Sequence, residues 1–504
     1  GTEEKMTNKA CWKFDEQERA LYIDVEVDEE DKENPKVYSA WDKLPDILLE
    51  EIFSYLTVRQ RYYASLVCRS WYQAFKLPRV WSTFTVQDTT LTRGKFNYYS
   101  GWCYVLDHIR TSSCFYRVGR NFRSLVFEPS YNFYNLYEFM NMFTWFCLRK
   151  PGDDPYIPGM GHNIRHLKFI FPCNMANRDD PEQIKIFGTG GKLLETVKKL
   201  TSNLKNLRSV EFIDLMLDSK EALYFLDNIC DNCTETLKKL VLINTTKLYC
   251  PLLHVGVFLN LNILVISPQN LDNDVLDLIG YTKLRHMHIF QNRYSPVDST
   301  VRLPKQLAWI KLGKNNPYLK VHFEVESNKP EIILPIEFPE HNSIPCYSIV
   351  IDNQTAQPTA AMMLAQAINF QKTLSIYAIK SIPKYYQHRS FSKRVDEIIV
   401  RVCRTCPNIH TLMIRDKIST STLLEIASTA KSLRYLYVRR QAVLKRCDKT
   451  WSVVTEWTPE HQEWIKSICK SYEDTEKEIS KILGYRWRML TEKEFKQQTI
   501  HLYV

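Results

Sequence analysis

A six-residue phrase with apolar residues at positions 1, 4 and 6 recurs along most of the chain. The clear copies are FRSLVF (122–127), IRHLKF (164–169), LRSVEF (207–212), LKKLVL (237–242), LNILVI (261–266), LRHMHI (284–289), LAWIKL (307–312), IHTLMI (409–414) and LRYLYV (433–438). Weaker copies are YLKVHF, YSIVI and LSIYAI. The fourth-position residues Leu240, Leu264, Met287 and Ile310 are spaced 24, 23 and 23 residues apart. A period of this length is typical of stacked repeat architectures.

Each period is long enough for one strand and a returning helix. The alternating phrases predict strands, and intervals such as SKEALYFLDNICDNC and TSTLLEIASTAK predict helices. Because one such unit cannot bury both of its faces, we expect a solenoid with parallel strands inside and helices outside. Spacings of 42 and 43 between Leu125, Leu167 and Val210 predict longer, irregular early repeats. A doubly wound α/β sheet is the alternative, although it needs fewer and longer units.

The fold class expected is therefore α/β, with three parts after an acidic leader at 1–39. These parts are a helical unit at 40–86, the irregular solenoid at 87–440, and a C-terminal cap and tail at 441–504. The repeat phase is poorest near 325–375, which leaves the continuity of the array open there. Thr458-Pro459 and Gly484 are good start and stop signals for one long cap helix. RWRML and TIHLYV, which follow, suggest a further strand.

Composition favours a reduced, intracellular protein of the cytoplasm or nucleus. The chain has no run of 18 apolar residues and no apolar signal segment at its start. Its 14 cysteines are spread over 504 residues, as expected for buried thiols rather than disulfides. Residues 1–39 hold 12 acidic and 6 basic side chains and so carry a net charge of −6. Because the whole chain carries +10, residues 40–504 carry +16. This basic body favours an acidic or phosphorylated partner.

Two possible chemical motifs have simpler explanations. The pairs Cys230/Cys233 and Cys403/Cys406 have zinc-ligand spacing, but each stands just before a repeat strand, where small buried residues are expected. FGTGGKLL at 187–194 lacks the residues that a phosphate-binding loop requires. No nucleophile–histidine arrangement stands out. We therefore expect no cofactor, no bound metal and no catalytic activity, and the dispersed basic residues make nucleic-acid binding unlikely.

The stretch LPDILLEEIFSYL at 44–56 carries apolar residues most of the way round a helix. Such a helix must be covered on more than one side. Thr57 and Gln60 have capping-box spacing and predict a second helix through RYYASLVCRSWYQAF. Two or three short helices are too small to bury so many large apolar groups. Residues 40–86 therefore predict a docking surface.

The segment WDKLPDILLEEIFSYLTVRQRYYASLVCRSWYQAFKLPRVW resembles an F-box, the motif that binds the adaptor Skp1. The resemblance rests on Leu44-Pro45, on the spacing of the apolar residues that follow, on LVCRSW at 66–71 and on Val80-Trp81. It implies a Skp1 interface formed by Leu44, Pro45, Ile47, Leu48, Ile52, Phe53, Leu56, Leu66, Val67, Cys68 and Trp71. The alternative is that some of them, above all Val67 and Trp71, pack inside the motif.

An F-box followed by leucine-rich repeats resembles the substrate receptors of SCF-type ubiquitin ligases, with a layout most like F-box only proteins 33 and 39. The resemblance implies a non-catalytic receptor, linked through Skp1 to cullin-1 and a RING subunit, that captures a protein substrate for ubiquitination. Two alternatives stay open. One is a Skp1-bound scaffold without cullin-dependent degradation, and the other is a solenoid that senses a small anion.

Strand alternation predicts the substrate surface. Residues beside the fourth apolar position point away from the solenoid core into its hollow. On the later repeats these are His286, His288, Trp309, Lys311, Tyr435, Tyr437 and Arg439, with Lys168 and Lys239 on earlier ones. Exposed aromatic and cationic side chains are common at protein-recognition surfaces. The alternative is that the C-terminal segment or neighbouring loops cover several of them.

Overall fold

The computed structural model describes residues 40–99, 101–130, 132–148, 159–172, 191–332, 342–451 and 456–503. The chain divides into two compact units, an N-terminal unit (1–237) and a C-terminal unit (238–504). The expected acidic leader and the glycine-containing stretch 187–190 lie outside the described residues. In the parts of the chain that the structure describes, no helix is long and apolar enough to cross a membrane.

The N-terminal unit opens with three short helices, α1 (Asp46–Ser54), α2 (Val58–Ser65) and α3 (Arg69–Phe75). Short 3-10 turns flank them at Ala40–Lys43 and Pro78–Trp81. The capping box predicted at the start of α2 is present. The Thr57 hydroxyl accepts from the Gln60 amide at 3.2 Å, and the Thr57 amide donates to the Gln60 side chain at 2.9 Å. Both hydrogen bonds satisfy backbone amides that the helix itself leaves unpaired.

The remainder of the N-terminal unit alternates strands with helices. Its elements are β1 (Thr83–Val86), β2 (Thr92–Asn97), β3 (Gly101–Leu106), α4 (His108–Val118), β4 (Ser124–Phe127), α5 (Phe133–Leu148), β5 (His166–Ile170), α6 (Lys192–Ser202), β6 (Ser209–Ile213) and α7 (Ser219–Cys233). Strands β1, β4, β5 and β6 pair in parallel in that order. The fourth-position residues Leu125, Leu167 and Val210 stand opposite one another. The first repeat strand, β1, thus begins inside the range 40–86.

The C-terminal unit continues the strand–helix alternation. Its repeat elements are β7 (Lys239–Ile243), β8 (Ile263–Ile266), α8 (Asn273–Ile279), β9 (His286–Asn292), α9 (Gln306–Asn315), β10 (Lys320–Glu326), β11 (Cys346–Asp352), α10 (Ala360–Asn369), β12 (Ile376–Lys380), α11 (Asp396–Thr405), β13 (Thr411–Ile414), β14 (Ile418–Ser419), α12 (Thr420–Thr429), β15 (Tyr435–Val438) and β16 (Val443–Leu444). The cap consists of α13 (Pro459–Ile468), α14 (Tyr472–Leu483) and α15 (Glu492–Gln497).

Parallel pairing in the C-terminal unit follows chain order from β7 to β13 and then to β15. Leu240, Leu264 and Met287 stand opposite one another, as do Leu412 and Leu436. Strands β10, β11 and β12 pair directly, so the array is continuous through the stretch of poorest phase. Both units confirm the predicted α/β class with leucine-rich-repeat-like strand–helix stacking.

One predicted strand is wrong. LAWIKL lies in helix α9, where Trp309 and Leu312 are buried one turn apart while Leu307 is 81% exposed. Apolar residues at positions 1, 4 and 6 fit either secondary structure, and here the helical period describes the burial. The strand of this repeat is β10, from the weaker copy YLKVHF, and its Val321 stands opposite Met287.

The cap also differs from the expectation. Thr458 caps α13, and Gly484 ends α14 in the left-handed conformation at φ 84°, as predicted. Between them the chain forms two helices rather than one. Ser471 starts the second, because its hydroxyl accepts from the Asp474 amide and competes with continuation of the first helix. TIHLYV forms no strand over its described residues, 499–503.

Candidate functional site

Helix α1 has two apolar faces, of which the chain covers one. Leu49 and Phe53 are buried inside the three-helix unit, at 0% and 1% exposure. On the other face, Ile47, Leu48 and Ile52 remain 65%, 48% and 38% exposed. Exposed aliphatic side chains grouped on one helix face are typical of a surface that a partner covers.

Phe53 lies on the covered face of α1, so its predicted place in the Skp1 interface is corrected. The Phe53 ring packs edge-on against Trp71, with ring centroids 5.3 Å apart, and it has no surface left for a partner. Trp71 is half-buried, and its indole N–H donates to the Trp41 carbonyl at 3.1 Å. Trp71 thus has the internal role given above as the alternative. Val67 does not, because it is 63% exposed.

A buried arginine fastens the end of α1 to the rest of the unit. The Arg61 guanidinium donates to the carbonyl oxygens of Phe53 and Ser54, each at 3.1 Å. It also lies over the Trp81 ring at 5.0 Å. Burial lowers the pKa of Arg61 to about 10, so the side chain stays charged near neutral pH. These bonds fix the direction in which the exposed face of α1 points.

The other predicted interface residues divide by exposure. Pro45, Leu66 and Val67 are exposed, whereas Leu44, Leu56 and Cys68 are half-buried. Three exposed aromatic residues of the three-helix unit and its flanking turns were missed, namely Trp41, Tyr55 and Tyr72. Tyr55 follows Leu48 by seven residues and Ile52 by three, so helical spacing alone places it beside them on the exposed face. The apolar face is hereafter the α1 face, defined by Ile47, Leu48, Ile52 and Tyr55.

The second candidate surface is the inner face of the C-terminal unit, formed by the strand residues that alternate with the buried fourth position. His286 and His288 on β9 point to this face, as predicted. They are not open to solvent, since His288 is 2% exposed and His286 half-buried. The cover is the chain's own C-terminal segment, the alternative named above. The Tyr503 hydroxyl lies 2.9 Å from Nε2 of His288.

These histidines belong to a connected cluster on neighbouring strands. Nδ1 of His286 lies 3.0 Å from Nε2 of His322 on β10, and Nδ1 of His322 lies 2.6 Å from the Ser348 hydroxyl on β11. Nδ1 of His288 pairs with the Glu324 carboxylate. Burial, with the positive charge of neighbouring groups, lowers the pKa of His286 to about 4 and that of His322 to about 2. Both imidazoles are therefore neutral near pH 7.

The predicted substrate contacts on β15 and directly after it have different roles. Arg439 is 8% exposed, and it donates to the Arg415 carbonyl at 2.8 Å and to Glu492 at 2.9 Å. It is a structural residue that holds helix α15, which corrects the prediction of a substrate contact. Tyr435 is 43% exposed and stacks on the half-buried Tyr437, with centroids 6.5 Å apart.

The predicted inner-face position is wrong for two residues, because they lie on helix α9. Trp309 is fully buried, and its indole N–H donates to the Pro304 carbonyl at 3.0 Å. Lys311 is exposed on the helix and forms an ion pair with Asp277 on α8. Among the earlier lysines, Lys168 on β5 and Lys239 on β7 are half-buried at inner-face positions of their own units.

Both Cys-x-x-Cys pairs occur at the same place in a repeat, where α7 or α11 ends before the next strand. Cys233, Cys403 and Cys406 are buried. Burial raises the pKa of each of these thiols to about 12. Within the described ranges, no group of three or more His, Cys, Asp or Glu side chains is arranged to hold a metal ion.

Comparison with known proteins gives one family match. Residues 41–87 match the model of the F-box-like family, so the three helices and the turn after them form an F-box-like domain. No curated protein matches the chain, and the finer likeness to F-box only proteins 33 and 39 has no support from these comparisons.

Solved structures show only distant likeness. The chain is similar to the complex of Rad7 and Elc1 in yeast, with 13% identity over 81% of this chain and 92% of that chain and a TM-score of 0.34. It is also similar to the TLR13–ssRNA13 complex, with 10% identity over 66% of this chain and 51% of that chain and a TM-score of 0.27. TM-scores this low carry no conclusion about function.

Proposed function

We propose that the F-box-like domain binds a Skp1-type adaptor and that the repeat units hold a protein substrate for ubiquitination. F-box domains are in general non-catalytic adaptor-binding modules, and the family match at 41–87 supports that role here. The observation that carries the proposal is the α1 face. Its aliphatic residues are exposed although the domain has an apolar interior of its own.

The energetics favour a partner for the α1 face. Full burial of an Ile or Leu side chain stabilises by about 1.5–3 kcal/mol. Ile47, Leu48 and Ile52, with Leu66 and Val67 on the next connection, keep between 38% and 65% of their surface in water. Covering them supplies several kcal/mol toward association, against the entropic cost of bringing two proteins together.

In this proposal the adaptor links the chain to cullin-1 and a RING subunit, and those partners supply the ubiquitin-transfer chemistry. The receptor contributes proximity and orientation of its substrate. The chain's net charge of +10 and the lysines at inner-face positions favour an acidic or phosphorylated substrate. The cytoplasm or nucleus is the proposed compartment.

Co-expression with a human Skp1 tests the proposal. The α1-face variant Ile47→Asp/Ile52→Asp places two carboxylates on the exposed face while Leu49 and Phe53 stay intact. We expect the wild-type chain to co-elute with Skp1 at 1:1 in size-exclusion chromatography and the variant to elute without it. Leu307→Asp is the matched control, since Leu307 is 81% exposed on α9 in the other unit. Equal co-elution of wild type and α1-face variant contradicts the proposal.

Cullin recovery separates a ligase from a scaffold. Purification of the wild-type chain from cells should recover cullin-1 and a RING subunit along with Skp1, and the α1-face variant should lose all three together. Recovery of Skp1 without cullin indicates a scaffold and rejects the ligase role while leaving adaptor binding intact.

A further inference from the structure

The C-terminal segment crosses the inner face of the C-terminal unit. It is fixed first at Leu490, whose amide donates to the Val438 carbonyl and whose carbonyl accepts from the Arg440 amide, both at 2.9 Å. Helix α15 follows, and its Phe495 is buried in a cluster with Ile376, Ala378 and Met413 on the inner face of β12 and β13. Up to Phe495 the segment is an integral part of the unit.

The last residues are attached differently. Residues 498–503, hereafter the tail, form neither helix nor strand. Ile500 and Leu502 are half-buried against the Phe495 cluster, while Thr499 and His501 between them are exposed. Half-buried and exposed side chains thus alternate along the tail, and the chain turns at Leu502 and Tyr503. No tail side chain is fully buried, although the tail covers buried groups.

The tail ends in a pocket of aromatic side chains. The Tyr503 ring stands edge-on to the rings of His286 and His288, with centroids 4.9 Å and 5.5 Å away. Its hydroxyl reaches Nε2 of His288, while the ring itself remains 52% exposed. The pocket therefore contacts one ring edge and the hydroxyl.

The hydrogen bonds define what this pocket recognises. Glu324, when ionised, can only accept, so Nδ1 of His288 carries the proton that is shared with it. The other ring nitrogen, Nε2, is then paired with the Tyr503 hydroxyl, 2.9 Å away. A phenylalanine in this place leaves a nearly buried ring nitrogen without its hydrogen-bond partner.

We infer that the inner face between β9 and β13 is a groove for a peptide segment, and that the tail is its tethered occupant. The ligand class is a segment with two aliphatic residues in alternation followed by tyrosine, as in Ile500, Leu502 and Tyr503. The inference rests on the proposed function for its biological meaning, because a substrate segment of this chemistry then competes with the tail. A tethered ligand is present at an effective concentration of the order of millimolar.

The test uses the full chain and a fluorescein-labelled peptide, KQQTIHLY, with an amidated end. In the tail variant Leu502→Asp/Tyr503→Ala, the aliphatic and aromatic contacts of the tail are removed. We expect this variant to bind the peptide at least about tenfold more tightly than the wild type does, because the tethered competitor no longer fills the groove. A peptide with phenylalanine in place of tyrosine should bind about 2- to 10-fold more weakly.

Absence of peptide binding to the tail variant at millimolar peptide overturns the inference, as does equal affinity for both chains. Skp1 co-elution of the same variant keeps this result separate from the proposed function, since the α1 face is untouched. Hydrogen exchange of the wild-type chain is a second test that needs no variant. Tail amides should exchange at least about 100-fold faster than those of β12 and β13, through local opening. Equal protection shows instead that the tail is a permanent part of the unit.

Discussion

The hydroxyl of Tyr503 lies 2.9 Å from Nε2 of His288, a residue 215 positions earlier in the chain. This bond joins the last described residue to the inner face of a parallel sheet. From their position on the inner face, the β9 histidines were predicted to contact substrate. In the structure, the group that contacts His288 from this side is Tyr503 of the same chain.

Removal of this one hydroxyl should loosen the tail. In Tyr503→Phe, the amides of residues 500–503 should exchange about 2- to 10-fold faster, because a hydrogen bond contributes about 0.5–1.5 kcal/mol. Hydrogen exchange read by mass spectrometry of the C-terminal peptide measures this. Tyr318→Phe is the control, since Tyr318 is 80% exposed. The same rate in both variants shows that the bond contributes nothing to tail attachment.

Truncating a side chain to alanine should lower the stability of the domain much more on the covered face of α1 than on its exposed face. Phe53→Ala removes a ring that is 1% exposed and should destabilise the domain by about 3–5 kcal/mol. Ile47→Ala, on the exposed face, should change stability by no more than about 0.5 kcal/mol. Urea unfolding of each full-length variant, followed by circular dichroism, gives both values. A large loss for Ile47→Ala contradicts the assignment of its face as uncovered.

The histidine cluster should make stability depend on pH. The pKa values of His286 and His322 in the folded chain, about 4 and about 2, lie below the usual value near 6.5. The unfolded chain therefore binds more protons at mildly acidic pH. The cluster's contribution is complete above pH 6.5, and it is lost progressively from there down to pH 4 and below.

A substitution isolates this effect from the carboxylates that titrate in the same range. The titratable and charged groups near His286 and His322 are His288, Glu324, Lys320, Arg285, Tyr347 and Tyr503. In His322→Gln the slope of unfolding free energy between pH 6.5 and 4 should be smaller than in the wild type. His388→Gln, at an exposed position, should keep the wild-type slope. Parallel slopes in all three chains contradict burial of a neutral His322.

The paired cysteines should behave as structural thiols. Because burial holds the pKa of Cys403 and Cys406 near 12, neither is a thiolate at pH 8. Both should escape iodoacetamide in the native chain and react fully in urea, as mass spectrometry of their peptide can show. Stoichiometric zinc in the purified protein, or rapid native alkylation, overturns this prediction.

The sequence predicts the repeats and the docking domain well, because both depend on local periodicity and spacing. The alternation of Leu240, Leu264 and Met287 at nearly constant intervals fixes their alignment in the sheet. Phe53 and Ile52 look equivalent in the sequence, since both are large and apolar. Their separation into covered and uncovered faces depends on where Trp71 lies, 18 residues after Phe53, and no local pattern encodes it.

The conformation of the tail could not be predicted from the sequence either. TIHLYV alternates as a strand does, yet it makes side-chain contacts in place of a strand ladder. Trp309 shows the same ambiguity, because six residues fit a strand and a helix equally well. In both cases the outcome depends on contacts that are distant along the chain, above all those with His288 for the tail.

Isothermal titration of purified Skp1 into the full-length chain, repeated at several temperatures, tests the central claim most directly. If the α1 face is the docking surface, binding is 1:1 with a negative heat-capacity change, the mark of apolar burial. Ile47→Asp/Ile52→Asp then gives no binding heat, while Leu307→Asp matches the wild type. Absence of binding by the wild-type chain, or unchanged binding by the α1-face variant, contradicts the account.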